Sequence, residues 1–167
     1  VDAMAEGQEK IYFAPGESKD RLAKLPQVET LNGKGYDVLL FTEDVDEFIP
    51  QTLIKYADKS FCNVTTDDLG LETEEEKKQT QEKAEELKDV LSFVKETLAD
   101  RVKEVRLSNS LGSYPVSLVP DAGMSFEMEK YMKRVNPEFA YSSGRILELN
   151  AGHPAFRAME EAIPADP

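Results

Sequence analysis

The chain has one cysteine, one histidine and no tryptophan in 167 residues. A lone Cys62 permits no intrachain disulfide and fits a reducing compartment. Metal sites need clustered soft ligands or carboxylates. Here Cys62 and His153 lie far apart in sequence, and the acid-rich stretch 67–76 lacks the Asp/Asn/Gly spacing of a calcium loop, so no metal is expected. Neither G-x-G-x-x-G nor G-x-x-x-x-G-K-[ST] occurs. Gly33-Lys34-Gly35 falls where a helix should end, and the dipole there disfavours an anion, so no nucleotide is expected within this chain. Cys62 and His153 could in principle form a nucleophile and base. The better reading is that Cys62 fills space in an apolar strand and His153 caps a helix.

Bases are scarce, with 20 against 33 acids and a net charge of −13. A phosphate backbone or an anionic membrane surface would be repelled, so neither nucleic acid nor membrane is an expected partner. No apolar run approaches 18 residues, and the first ten residues carry charge without an apolar signal core. Val1-Asp2-Ala3-Met4 reads as mid-protein sequence, and a piece of a longer chain is expected.

Hydrophobic residues make up 40%, enough for one medium domain or two small ones. Lys10–Ala14 is β-branched and aromatic and reads as a strand. Pro15 to Ser18 is a turn leading to a helix cap. Leu22, Leu25, Val28 and Leu31 follow at helical spacing, with Pro26 expected to split the helix and Gly33–Gly35 to end it. Val38–Phe41 is a continuous apolar run, expected to be a buried parallel strand. Strand, helix and strand make a βαβ unit, expected to cross over right-handed. Asp44 to Glu47 has the form of a capping box opening a helix over 45–56, bent at Pro50; Ser60–Val64 reads as a third strand.

From Asp67 the composition changes, with 13 acids and 7 bases over 67–104. Thr73 to Glu76 is a second capping box, and Glu74–Lys78 and Glu85–Lys88 are spaced as ion pairs. Ala84, Leu87, Leu91, Val94 and Leu98 form one seam, predicting a long helix over 73–99 of about 37 Å. That seam is expected to pack onto the neighbouring domains rather than in a coiled coil. Strands are expected at 105–108, 116–119 and 146–149. A helix over 124–135 capped by Asp121, a last helix over 154–162 opened by His153-Pro154, and a frayed tail at 164–167 complete the reading.

Two features suggest binding. Met124, Met128, Tyr131, Met132 and Val135 share one helix face, and Met-rich faces adapt to varied apolar partners. Phe48-Ile49 sits beside Pro50 in an acidic setting. Ordinary core packing is the competing explanation for both.

Five blocks in order resemble the heat-shock protein 90 chaperone family, most nearly its bacterial high-temperature protein G form. They are EGQEKIYFAPGES (6–18), GKGYDVLLFTEDVDEFI (33–49), RVKEVRLSNSLGSYPVSLV (101–119), GMSFEMEKYM (123–132) and RILELNAGHPAF (145–156). The resemblance implies an α/β and α+β chain. Residues 1–100 would be the small αβα subdomain closing the family's middle domain, with a short, mainly parallel sheet and the connecting helix 73–99. Residues 101–167 would open a small mixed α+β C-terminal domain without its final dimer helices. It implies a cytoplasmic parent that is a homodimer and hydrolyses ATP with magnesium in an N-terminal domain lying upstream, so this piece itself is expected to be non-catalytic and free of cofactor. It also implies binding of partly folded client proteins through Phe48, Gln51, Met124, Met128, Tyr131 and Met132. Two readings from other classes compete: a small α/β enzyme or nucleotide-binding module built on the βαβ unit, and an architectural spacer whose Met/Tyr face is wholly buried.

Overall fold

The computed structural model describes residues 4–121 and 123–163, so the tail expected to fray at 164–167 lies outside the described residues. The fold is mixed α/β, with seven α-helices and two small sheets among the described residues. Two compact units form, Val1–Leu69 with Pro120–Ser143, and Gly70–Val119 with Gly144–Pro167. Neither is continuous in sequence.

The first unit is built on strand β1 (Lys10–Pro15), which pairs in parallel with β2 (Val38–Phe41) on one side and β4 (Lys59–Asn63) on the other. Ile11, Tyr12, Phe13 and Ala14 are all buried, as a central strand covered on both faces requires. The Phe13 ring lies 5.2 Å from Phe41 and 6.4 Å from Phe61. Tyr12 donates its hydroxyl to the Leu69 carbonyl at 3.0 Å, and burial pushes its phenol up to about 12. Contrary to expectation β2 is not buried. It is an edge strand with a neighbour on one side only, and Leu39 is exposed.

Between β1 and β2 the helix is split as Pro26 demands. Helix α1 (Lys19–Leu22) is capped by Ser18, and α2 (Pro26–Gly33) places Pro26 in its first turn, where no backbone N–H is needed. Gly16 lets the chain pass close to α1: a Cβ there would lie 2.6 Å from Leu22 Cδ2. A hairpin absent from the sequence reading, β3 (Lys55–Tyr56), runs antiparallel to β4. Its two-residue turn, Ala57-Asp58, has φ of 48° and 64°, the form that matches strand twist. The expected helix over 45–56 is shorter, α3 (Phe48–Leu53), and it has no capping box. Asp46 instead accepts from the Glu43 N–H, and Glu47 turns inward.

In the second unit the long helix is interrupted. Helix α4 (Glu74–Glu86) opens with the expected Thr73–Glu76 capping box. Leu87, at φ −97° and ψ 14°, separates it from α5 (Lys88–Leu98), although Leu87 still donates to Lys83 and accepts from Leu91. Lys78 pairs with Glu82 and not with Glu74, which pairs with Lys77. Ala84, Leu87, Val90 and Leu91 pack onto a core of Leu107, Leu149 and Phe156. This part of the seam therefore covers the sheet of its own unit, with Val90 joining it. That sheet has the order β5 (Glu104–Leu107), β7 (Arg145–Leu149), β6 (Val116–Pro120), with β5 and β7 parallel. Arg106 faces Glu148 in register and pairs with it at 2.7 Å. Helix α7 (Pro154–Ala162) starts as read: His153 Nδ1 accepts from the Ala155 N–H at 3.1 Å.

Candidate functional site

The candidate binding residues lie in the first unit, on α3, on α6 (Phe126–Val135) and, for Met124, two residues before α6. Helix α6 begins two residues later than expected, and its cap is Ser125, not Asp121. Ser125 Oγ accepts from the Met128 N–H at 3.0 Å. Gly123, at φ 113°, holds a backbone that no helix can continue through, which places the cap after it. Acids Glu127 and Glu129 occupy the first turn and Lys133 and Arg134 the last, matching the helix dipole.

The predicted face is divided. Met128 is only 5% exposed and belongs to the interior, so it does not line a surface. Met124, Tyr131 and Met132 are half-buried, and Val135 is exposed. A wholly buried Met/Tyr face, as an architectural spacer would have, is thus not what α6 presents. Phe48 and Gln51 are exposed on α3. The Phe48 and Tyr131 rings meet edge to face, with centroids 5.5 Å apart and planes at 74°. The Arg134 guanidinium lies 5.6 Å from the Tyr131 centroid and pairs with Asp44. On and beside α3, Val45, Ile49, Leu53, Ile54 and Tyr56 are also exposed. Ile54 closes α3 at φ 60°, a conformation uncommon for a β-branched residue, and is 70% exposed.

Three groups near these rings carry no local sequence signal. Glu47 is buried, accepting from Ser125 Oγ at 2.7 Å and Asn63 Nδ2 at 3.3 Å. Burial raises its carboxyl above the ordinary range; the Ser125 hydrogen bond opposes this, and the charges of Glu127 and Asp67 add to it. Asp44 and Arg134 are the others. Their partners lie 78 and 90 residues away in the chain, beyond the reach of any motif.

A nucleotide on the βαβ unit would place its phosphates beyond the carboxyl ends of the parallel strands. Those ends lead into Glu17, into Glu43 and Asp44, and into Asp67, with no glycine-rich turn to receive phosphates. Cys62 is buried, and burial pushes its thiol up to about 12, as befits a packing residue rather than a nucleophile. Among the described residues no helix is long and apolar enough to cross a membrane.

The family model described as Hsp90 protein matches residues 1–167. The chain is similar to the Chaperone protein HtpG of Bacillus subtilis (strain 168), at 40% identity over 166 residues, covering 99% of this chain and 26% of that protein. It is 43% identical over 166 residues to the Chaperone protein HtpG of Clostridium acetobutylicum, again covering 99% of this chain and 26% of the relative. The corresponding protein of Bacillus velezensis is 41% identical over 162 residues, 97% of this chain and 26% of its own length. The chain thus spans about a quarter of the length of these relatives. With the match running from the first residue to the last, the chain belongs to the Hsp90 protein family.

Proposed function

We propose that this chain is a client-binding part of a molecular chaperone, holding partly folded proteins on the surface formed by Phe48, Gln51, Met124, Tyr131 and Met132. The observation that carries the reading is the edge-to-face contact of Phe48 with Tyr131, in a segment where Val45, Ile49, Leu53, Ile54 and Tyr56 are exposed. Large apolar side chains gathered at a surface are costly to leave in water and mark sites of protein contact. Methionine and aromatic side chains adapt to many partner sequences, and the charge of −13 keeps such a surface soluble and attracts basic client segments. Met128 supports the face from beneath.

The shared order of sequence blocks supports the placement within the family. Residues 1–100 would end the middle domain, with α4 and α5 leading out of it, and residues 101–167 would begin the C-terminal domain. ATP, magnesium and hydrolysis would then belong to other parts of a cytoplasmic, homodimeric parent, leaving this part to bind and transmit. The names of the relatives, each a chaperone protein, agree with that role.

Binding of a permanently unfolded protein, such as reduced and carboxymethylated lactalbumin, tests the surface by fluorescence anisotropy. Tyr131→Asp is expected to weaken binding about tenfold, the ~1.4 kcal/mol of a moderate hot spot, with far-UV circular dichroism unchanged. Unchanged affinity in the folded variant would remove Tyr131 from the site.

A further inference from the structure

We infer that Glu47 is a positioning residue, the buried half of a clasp that sets the Phe48–Tyr131 pair. A carboxylate 7% exposed is costly unless its oxygens are hydrogen-bonded, and both Glu47 oxygens are. The two donors are themselves fixed. Asn63 Oδ1 accepts from the Thr65 N–H at 2.9 Å and from the Thr65 hydroxyl at 2.7 Å, so its amide nitrogen must point the other way, at Glu47. Ser125 Oγ accepts from the Met128 N–H, which leaves its proton for Glu47. A glutamine here would turn an NH2 toward one of two groups already committed to donating.

The clasp has a second, exposed half. Asp44, three residues before Glu47, pairs with Arg134 in the last turn of α6. The segment 44–47 is therefore tied to both ends of α6, and Phe48 follows it directly. Tyr131 lies between the two ties, under the Arg134 guanidinium, and meets Phe48 there. Backbone bonds within the segment, Phe48 N–H to the Val45 carbonyl at 3.1 Å and Ile49 N–H to Asp46 at 3.0 Å, pass the position of Glu47 on to the ring. The exposed pair alone is a weak tie in water. The buried carboxylate is the part that fixes the register of α3 on α6.

The significance of the clasp for clients rests on the binding surface proposed above, but its effect on the rings is measured separately. In isotope-labelled protein, Glu47→Gln should abolish the nuclear Overhauser contacts between the Phe48 and Tyr131 rings while helicity is retained. Unfolded-protein binding should fall several-fold, with no further loss when Glu47→Gln is added to Phe48→Ala. Ser125→Ala gives a second route should Glu47→Gln not fold: alanine removes the hydroxyl that donates to Glu47 at the cost of a weaker cap, and the ring contacts should again be lost. Ring contacts of full intensity in either folded variant would overturn the clasp. Loss of the contacts with unaltered client binding by Phe48→Ala would support the clasp and overturn the binding surface.

Discussion

Glu129 stands on α6 with its side chain turned inward, 6% exposed. Burial pushes its carboxyl up, yet hydrogen bonds from Lys133, from the Ser142 hydroxyl at 2.7 Å and from the Ser143 N–H at 2.7 Å outweigh that, and it titrates at about 2 instead of 4.5. These bonds tie the chain after α6 back onto the helix. Because the folded form holds its proton less tightly than the unfolded form, the contribution to stability is full above about pH 4.5 and is lost as pH falls toward 2. Glu129→Gln is expected to cost about 2 kcal/mol at pH 6, since hydrogen bonds to a charged, buried group are lost. In urea unfolding, the difference between parent and variant should shrink steadily between pH 5 and pH 2. Glu47 has the opposite sign: its carboxyl is raised, so its contribution is present at low pH and falls as pH rises through its folded value.

Single residues were legible where their chemistry is local. Pro26 splits a helix because it has no N–H, and His153 caps one because its ring nitrogen reaches the Ala155 N–H two residues on. Ser125 could have been found: Gly123 bars a helix start before it, and Ser-x-x-Met places an acceptor opposite the third helical N–H. Glu47 could not. Its acid-rich surroundings resemble a capping box, and only packing against Ser125 turns it inward.

Among the elements, α4 is held by its ends and by a single seam. No residue in it is buried, so its first turn depends on the box in which Thr73 Oγ1 accepts from Glu76 N–H at 3.2 Å and Glu76 accepts from Thr73 N–H at 2.7 Å. Thr73→Ala should destabilise the second unit by about 1 kcal/mol and speed amide exchange at 74–77, with exchange in α5 little altered. Unchanged exchange there would show that the turn is held by something else. This box was readable because all its partners lie within four residues. The break at Leu87 was not, since neither glycine nor proline marks it. The β3–β4 hairpin was also hidden, because Ala57-Asp58 lacks the glycine that usually signals such a turn. For β2, an apolar run promised burial, but strand order decides burial, and order is set by the whole sheet.

For the molecule as a whole, the βαβ unit with its parallel strands followed from alternating strand and helix patterns, and the mixed class from the family resemblance. The return of residues 120–143 to the unit formed by 1–69 did not, and that return brings Tyr131 to Phe48. The residues themselves gave two separate apolar signals, which the family resemblance placed in one set; the fold puts Phe48 against Tyr131. The most direct test follows amide resonances while a permanently unfolded protein is titrated into labelled chain. Binding at this surface should give saturable shifts concentrated at 45–54 and 124–132. Silence in both segments while other surfaces respond would contradict it.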